Sequence, residues 1–119
     1  MENGHLPHDH GQHIESLADR LPGANDFGVL ADLFRQLGDP SRIRIFWILC
    51  HCEECVINLS AMMNMSSPAV SHHLKLLKTA GLIVSRREGK EVYYQSADTD
   101  EVHALHEIIE TLLSIACPL

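Results

Sequence analysis

Four cysteines, Cys50, Cys52, Cys55 and Cys117, and nine histidines are the side chains of this 119-residue chain best suited to hold a metal ion or exchange electrons. Three of the thiols fall within six residues, in Cys50-His51-Cys52-Glu53-Glu54-Cys55-Val56. Such clustering suits metal or redox chemistry better than a disulfide framework. Thiolates take soft or borderline ions, here Zn, Cd, Pb, Cu(I) or As(III), and added imidazoles shift the preference toward Zn, Cd or Ni. Cys52 and Cys55 stand three residues apart at what reads as the start of a helix. Both sulfurs are expected to converge there, with thiol pKa values lowered by the helix dipole. Cys50, or one of the N-terminal histidines His5, His8, His10 and His13, would complete the shell. The ion is an effector in this reading, and the fold needs none.

A second kind of chemistry is written in residues 66–82. Ser66 or Ser67 can cap a first helical turn, Pro68 fits where the N–H groups lack intrahelical partners, and Gly81 supplies the stop. Val70, Leu74 and Leu77 form one apolar stripe, while Ser71, Lys75 and Lys78 repeat the same spacing one step round, with His72 beside them. One face packs and its neighbour stays polar and basic, as a helix that touches DNA requires.

These residues need elements to position them. Upstream, residues 56–63 read as a short apolar helix, and Asn64-Met65-Ser66 as a turn with Asn64 left-handed, which completes a helix-turn-helix. Downstream, residues 83–87 and 91–95 are β-prone runs around Glu88-Gly89-Lys90, a hairpin that makes a wing. Before these, Ile14, Leu17, Ala18 and Leu21 mark a helix ended by Pro22-Gly23, and Phe27 to Leu37 a second ended by Gly38. Asp39-Pro40 starts a core helix carrying Ile43, Phe46, Trp47 and Leu49. A last helix, from Asp98 to about Ala116, bears Val102, Leu105, Ile108, Ile109, Leu112 and Ile115, more apolar surface than a terminal helix on so small a body needs. Such a stripe asks for a partner surface, with Leu105 and Ile109 among the residues expected to meet it. Residues 1–13 carry no apolar period and read as a flexible His-rich arm, which leaves 14–119 as one domain.

The formal net charge of −7 hides an uneven distribution. Residues 66–95 hold Lys75, Lys78, Arg86, Arg87 and Lys90 against Glu88 and Glu91, while the flanking stretches are acidic. A modest basic patch on an acidic body predicts few phosphate contacts and a salt-sensitive complex. No apolar run is long enough to span a bilayer and the N-terminus lacks the apolar segment of a signal peptide, so a cytoplasmic chain without a membrane partner is expected. There is no glycine-rich phosphate loop, nucleophile elbow or zinc-protease motif, and the Cys-x-x-Cys lacks a βαβ context, so no enzyme is expected.

Leu37-Gly38-Asp39-Pro40-Ser41-Arg42-Ile43-Arg44-Ile45, Ala69-Val70-Ser71-His72-His73-Leu74-Lys75, Ala80-Gly81-Leu82-Ile83 and Arg86-Arg87-Glu88-Gly89-Lys90 running into Val92-Tyr93-Tyr94 together resemble the ArsR/SmtB winged-helix repressors of bacteria. The resemblance covers roughly residues 27 to 112. It implies a mainly α fold with a small β-hairpin, a winged helix-turn-helix, homodimeric through its first and last helices. It implies a repressor on a palindromic double-stranded operator, with Ser67, Ser71, His72 and Lys75 facing the groove and Arg86, Arg87 and Lys90 on the wing.

For the effector the resemblance offers three places. Some members carry Cys-Val-Cys-Asp before the helix-turn-helix, completed by the partner's N-terminal arm; here Cys55 matches the first cysteine, but Ile57 and Asn58 stand at the later positions. A second family site, on the last helix, pairs ligands from two subunits; Asp98 fits it, whereas Asp100, Thr111 and Ser114 do not, and His103, His106, Glu107 and Glu110 could improvise one. Members that sense reactive sulfur species such as persulfide carry cysteines roughly where Cys50 and Cys117 stand, which would make a metal-free dithiol switch open also to oxidants. A winged-helix module with a protein partner is the remaining alternative.

Overall fold

A computed structural model describes residues 6–118. His5, one of the candidate ligands of the arm, lies outside the described residues. The elements run α1 (Ile14–Asp19), α2 (Ala24–Gln36), α3 (Pro40–His51), β1 (Glu54–Cys55), α4 (Val56–Met63), α5 (Ser67–Thr79), β2 (Ile83–Glu88), β3 (Glu91–Ser96) and α6 (Asp100–Ala116). The chain divides into two units, residues 1–32 and 33–119, with the boundary inside α2. Every helix expected from the periodicity is present, and so is the hairpin.

In the first unit α1 spans only six residues and buries none of them. The start of α2 likewise leaves Phe27, Val29 and Leu30 exposed.

In the second unit the local signals act as written. Asp39 caps α3 by accepting from the Arg42 N–H at 2.9 Å, with Pro40 in the first turn. The Arg42 side chain donates to the Gln36 and Arg35 carbonyls at the end of α2, where orphan acceptors need a cation. Ser66 caps α5 from Ala69 N–H at 3.3 Å. Both α4 and α5 end by the same device, a left-handed residue followed by a pair of back-bonds to the last turn. Asn64 (φ 53°) and Met65 bond to Ala61 and Ser60, and Gly81 (φ 77°) and Leu82 bond to Lys78 and Leu77. The last helix starts two residues later than the apolar pattern suggests, because the Thr99 hydroxyl caps it from Val102 N–H at 3.2 Å.

The core is built where these helices cross the sheet. Ile45, Phe46 and Leu49 of α3, Leu59 of α4, Val70, Leu74 and Leu77 of α5, and Leu82, Ile83 and Val102 are essentially inaccessible. Trp47, expected among the core residues, is only partly buried because its indole reaches out to α6. The sheet has three antiparallel strands in the order β1-β3-β2. The strand missing from the sequence expectation is β1, where Glu54 and Cys55 pair with Tyr94 and Tyr93. The wing is therefore hydrogen-bonded to the cysteine segment and not a free hairpin.

Candidate functional site

Along α5 the buried stripe of Val70, Leu74 and Leu77 fixes which side faces out, and Ser67, Ser71, His72, Lys75 and Lys78 are all exposed on the other. From Ser67 to Lys78 the row measures about three turns, a length that a helix can present to a major groove. The Ser67 hydroxyl lies 3.1 Å from that of Ser60 on α4, and Lys78 Nζ donates to Ser85 Oγ at 2.6 Å, so the ends of the row are tied to the preceding helix and to the wing. His73, next to His72, instead turns inward; it meets Arg42 at 3.4 Å and Asp39 at 3.9 Å, linking α5 to the start of α3, and burial lowers its pKa with Asp39 opposing.

The wing cations differ in their surroundings. Side chains alternate along β2, and Ser85, which meets Lys78, shares its face with Arg87. Arg87 therefore projects on the side of α5. Arg86 projects the other way and is held by both oxygens of Glu53 at 2.6 and 2.8 Å and by Glu88 at 2.7 Å, with its guanidinium 4.8 Å from the centre of the Tyr93 ring. Those carboxylates raise its pKa further and compensate its charge. Of the cations on α5 and the wing, Arg86 is the one held in ion pairs among the described residues, while Lys75, Lys78, Arg87 and Lys90 are exposed beside it.

The cysteine segment is placed differently from the sequence expectation. Cys52 does not open a helix but closes α3, where its N–H bonds back to the Ile48 carbonyl at 3.0 Å and its thiol contacts the same oxygen at 3.5 Å. Only Cys55 stands at a helix N-terminus, as the N-cap of α4 and a residue of β1. The lowered thiol pKa values do not follow. Burial, with Glu54 adding to it, raises Cys52, and burial pushes the half-buried Cys50 up to about 11, with Glu110 adding and a Ser96 hydrogen bond opposing. Among the described residues, the sulfurs of Cys50, Cys52 and Cys55 do not gather within 4.8 Å of one another. All four cysteines are free thiols, and Cys117 is exposed at the end of α6.

On α6 the four polar residues singled out by spacing part company. His103 Nε2 meets Asp98 at 2.7 Å. Glu107 lies beside Ile108, Thr111 and Leu112. His106 and Glu110 converge instead on His51 of α3, a residue that spacing does not tie to them because it lies 55 positions from His106. Trp47 Nε1–H donates to the same Glu110 oxygen at 2.7 Å, and these donors, His51 first, hold the carboxyl below its ordinary pKa. Among the described residues no helix is long and apolar enough to cross a membrane.

Comparison with known proteins agrees with this architecture. The sequence profile of "Bacterial regulatory protein, arsR family" matches residues 39–85, from the cap of α3 into β2. A transcriptional repressor SmtB homolog of Synechocystis is 33% identical over 103 residues, covering 87% of this chain and 78% of the relative. A cadmium resistance transcriptional regulatory protein CadC homolog of Staphylococcus aureus is 39% identical over 79 residues, 66% of this chain and 64% of that protein. Among solved structures, HlyU from Vibrio cholerae superposes with a TM-score of 0.70 at 28% identity, over 76% of this chain and 97% of that one. With the capped recognition helix, the wing and these relatives together, the chain belongs to the arsR family of bacterial regulatory proteins and is a winged helix-turn-helix regulator of transcription that binds DNA.

Proposed function

We propose that the chain is a cytoplasmic homodimeric repressor, not an enzyme, that holds a twofold operator through Ser67, Ser71, His72 and Lys75 and through the wing. It lets go when a soft or borderline ion binds at Cys52 and Cys55, with Cys50 or an imidazole of the N-terminal residues completing the shell. The observation that carries this is the double position of Cys55, which in β1 pairs with Tyr93 of β3 and is also the residue from which α4 starts. A pull on its sulfur acts on the strand that holds the wing and on the helix that supports α5, so one ion displaces both DNA-contacting elements. The relatives support the class of effector, since one of them is named for cadmium resistance. The raised Cys50 and Cys52 pKa values mean that the ion must displace thiol protons, so affinity rises with pH.

The test is a mobility shift on operator DNA with cadmium titrated into the reduced protein. Ser71→Ala and His72→Ala should each weaken operator binding more than binding to random DNA, by about 1–3 kcal/mol where a base contact is lost. Cadmium should produce thiolate-to-metal absorbance and DNA release in step, both lost in Cys52→Ser and Cys55→Ser, with a coupling of about 1–3 kcal/mol. Release by persulfide that needs Cys50 and Cys117 but not Cys52 or Cys55 would replace the ion by a dithiol switch. A chain that prefers no DNA sequence would leave only the protein-interaction reading.

A further inference from the structure

Outside the cysteine segment, the two imidazoles and the carboxylate between α3 and α6 form a triangle whose geometry hydrogen bonds alone do not explain. His51 Nε2 lies 2.8 Å from Glu110 Oε1, His106 Nε2 lies 3.1 Å from the same oxygen, and the two nitrogens are 3.2 Å apart. Each Nε2 carries at most one hydrogen. If both donate to Glu110, the nitrogen–nitrogen edge sets one N–H against another. If either is bare, its edge to the carboxylate sets lone pair against lone pair. With Glu110 ionised and each hydrogen serving one partner, no pair of imidazole tautomers makes all three edges hydrogen bonds. A cation satisfies them at once, because it needs only three lone pairs aimed at one point.

The dimensions fit an ion. Ligand atoms bound at about 2.0–2.2 Å to a tetrahedral centre stand roughly 3.3–3.6 Å apart, so the three atoms need only spread by a few tenths of an ångström from their 2.8, 3.1 and 3.2 Å edges to seat an ion. The imidazole planes of His51 and His106 are nearly perpendicular, at 88°, so both rings can bind through Nε2 without stacking on each other. Glu110 Oε1 keeps a second lone pair, which the Trp47 N–H occupies at 2.7 Å, an outer hydrogen bond of the kind that orients a ligating carboxylate. His51 is further fixed by the Trp47 indole, with ring centres 4.2 Å apart. The side chains of His51, His106 and Glu110 are 44%, 29% and 44% exposed, which leaves the site open to an arriving ion and to water in a fourth position.

We propose that His51, His106 and Glu110 form a binding site for one divalent transition-metal ion of the zinc, cobalt and nickel class. Two nitrogens and one oxygen are a borderline donor set, too poor in oxygen for Mg or Ca and without the thiolates that favour Cd or Cu(I). All three ligands come from one chain and from two helices. The site therefore clamps the last turn of α3 to the middle of α6. His51 is followed directly by Cys52, β1 and α4, so the clamp also fixes the point from which the DNA-binding elements depart, a consequence that rests on the repressor reading above.

Trp47 is the sole tryptophan and touches two of the three ligands, so it reports occupancy. Cobalt(II) titrated into the full reduced chain should quench its fluorescence and give visible d–d absorbance, with the quenching saturating at one ion per chain beside any ion taken by the cysteine segment. His106→Gln and Glu110→Gln should each weaken both signals by more than about tenfold. The signals should persist when all four cysteines are changed to Ser and when His8, His10 and His13 are changed to Gln. Metal-free circular dichroism and a cooperative thermal transition in the His106 and Glu110 variants confirm that they fold, and His51→Gln serves if one does not. Unchanged cobalt affinity in those variants, or quenching that disappears with the cysteines, would overturn the site. Operator binding by the unaltered chain is scored separately, so a failed repressor reading does not mask the outcome here.

Discussion

At the scale of single residues, burial overrides position for the cysteines. A thiol near a helix end invites a dipole argument, but Cys50 sits half-buried in the last turn of α3, where low polarity and the Glu110 charge oppose thiolate and its pKa stands at about 11. Its thiolate fraction at neutral pH is therefore small. Alkylation of Cys50 by iodoacetamide should lag behind that of exposed Cys117 and rise about tenfold per pH unit until the medium approaches its pKa. Replacing Glu110 by Gln removes a charge that raises the pKa and should speed the reaction. Peptide mass spectrometry after timed pulses from pH 7 to 9 measures this, and equal rates at the two sites would contradict it. The capping residues, by contrast, were readable in advance, because Asp39, Ser66 and Asn64 act within three or four positions. His51 was not, since its partners are brought to it only by the packing of α6 on α3.

The elements repeat that division between local and distant causes. Periodicity located the helices of the DNA-binding unit and the glycine at position 89 located the hairpin turn, but a two-residue strand has no period to read, so β1 emerged only with the fold. With it came the role of Arg86. Residues 86 and 87 look equivalent in the sequence, yet alternation along β2 sends Arg86 to Glu53, in the loop before β1, and Arg87 toward the α5 side. The Arg86–Glu53 pair joins the wing to the cysteine segment, while Arg87 has no such partner among the described residues and would be free to meet phosphate. Arg87→Ala should lower the slope of log affinity against log salt by about one, with little loss of sequence preference. Arg86→Ala should leave that slope unchanged and instead weaken coupling between ion binding and DNA release. Binding curves at four salt concentrations distinguish the two, and equal slopes for both variants would remove the distinction.

For the molecule as a whole, the question is what covers α6. The sequence pointed to Leu105 and Ile109 as partner-facing residues, but Leu105 is 8% exposed within the chain's own core and Ile109 packs against that core. A helix of 17 residues with a broad apolar face can serve two surfaces, and the fold uses one side inward. The side left over carries Ile108, Leu112, Leu113 and Ile115, exposed by 46%, 58%, 43% and 70%. That much apolar area on one terminal helix is costly in water, and a second copy meeting it about a twofold axis would cover the same patch on both chains. The same axis would set two copies of α5 about one DNA turn apart, so dimerisation and operator binding should fail together. Aspartate at both Ile108 and Leu112 should give a folded monomer in sedimentation at micromolar concentration, with operator affinity reduced to that for random DNA. Leu105→Asp places a charge in the core instead and should lower thermal stability whatever the oligomeric state. A double variant that remains dimeric, or a monomer that still binds the operator as tightly, would show that α6 is covered by something other than its twin.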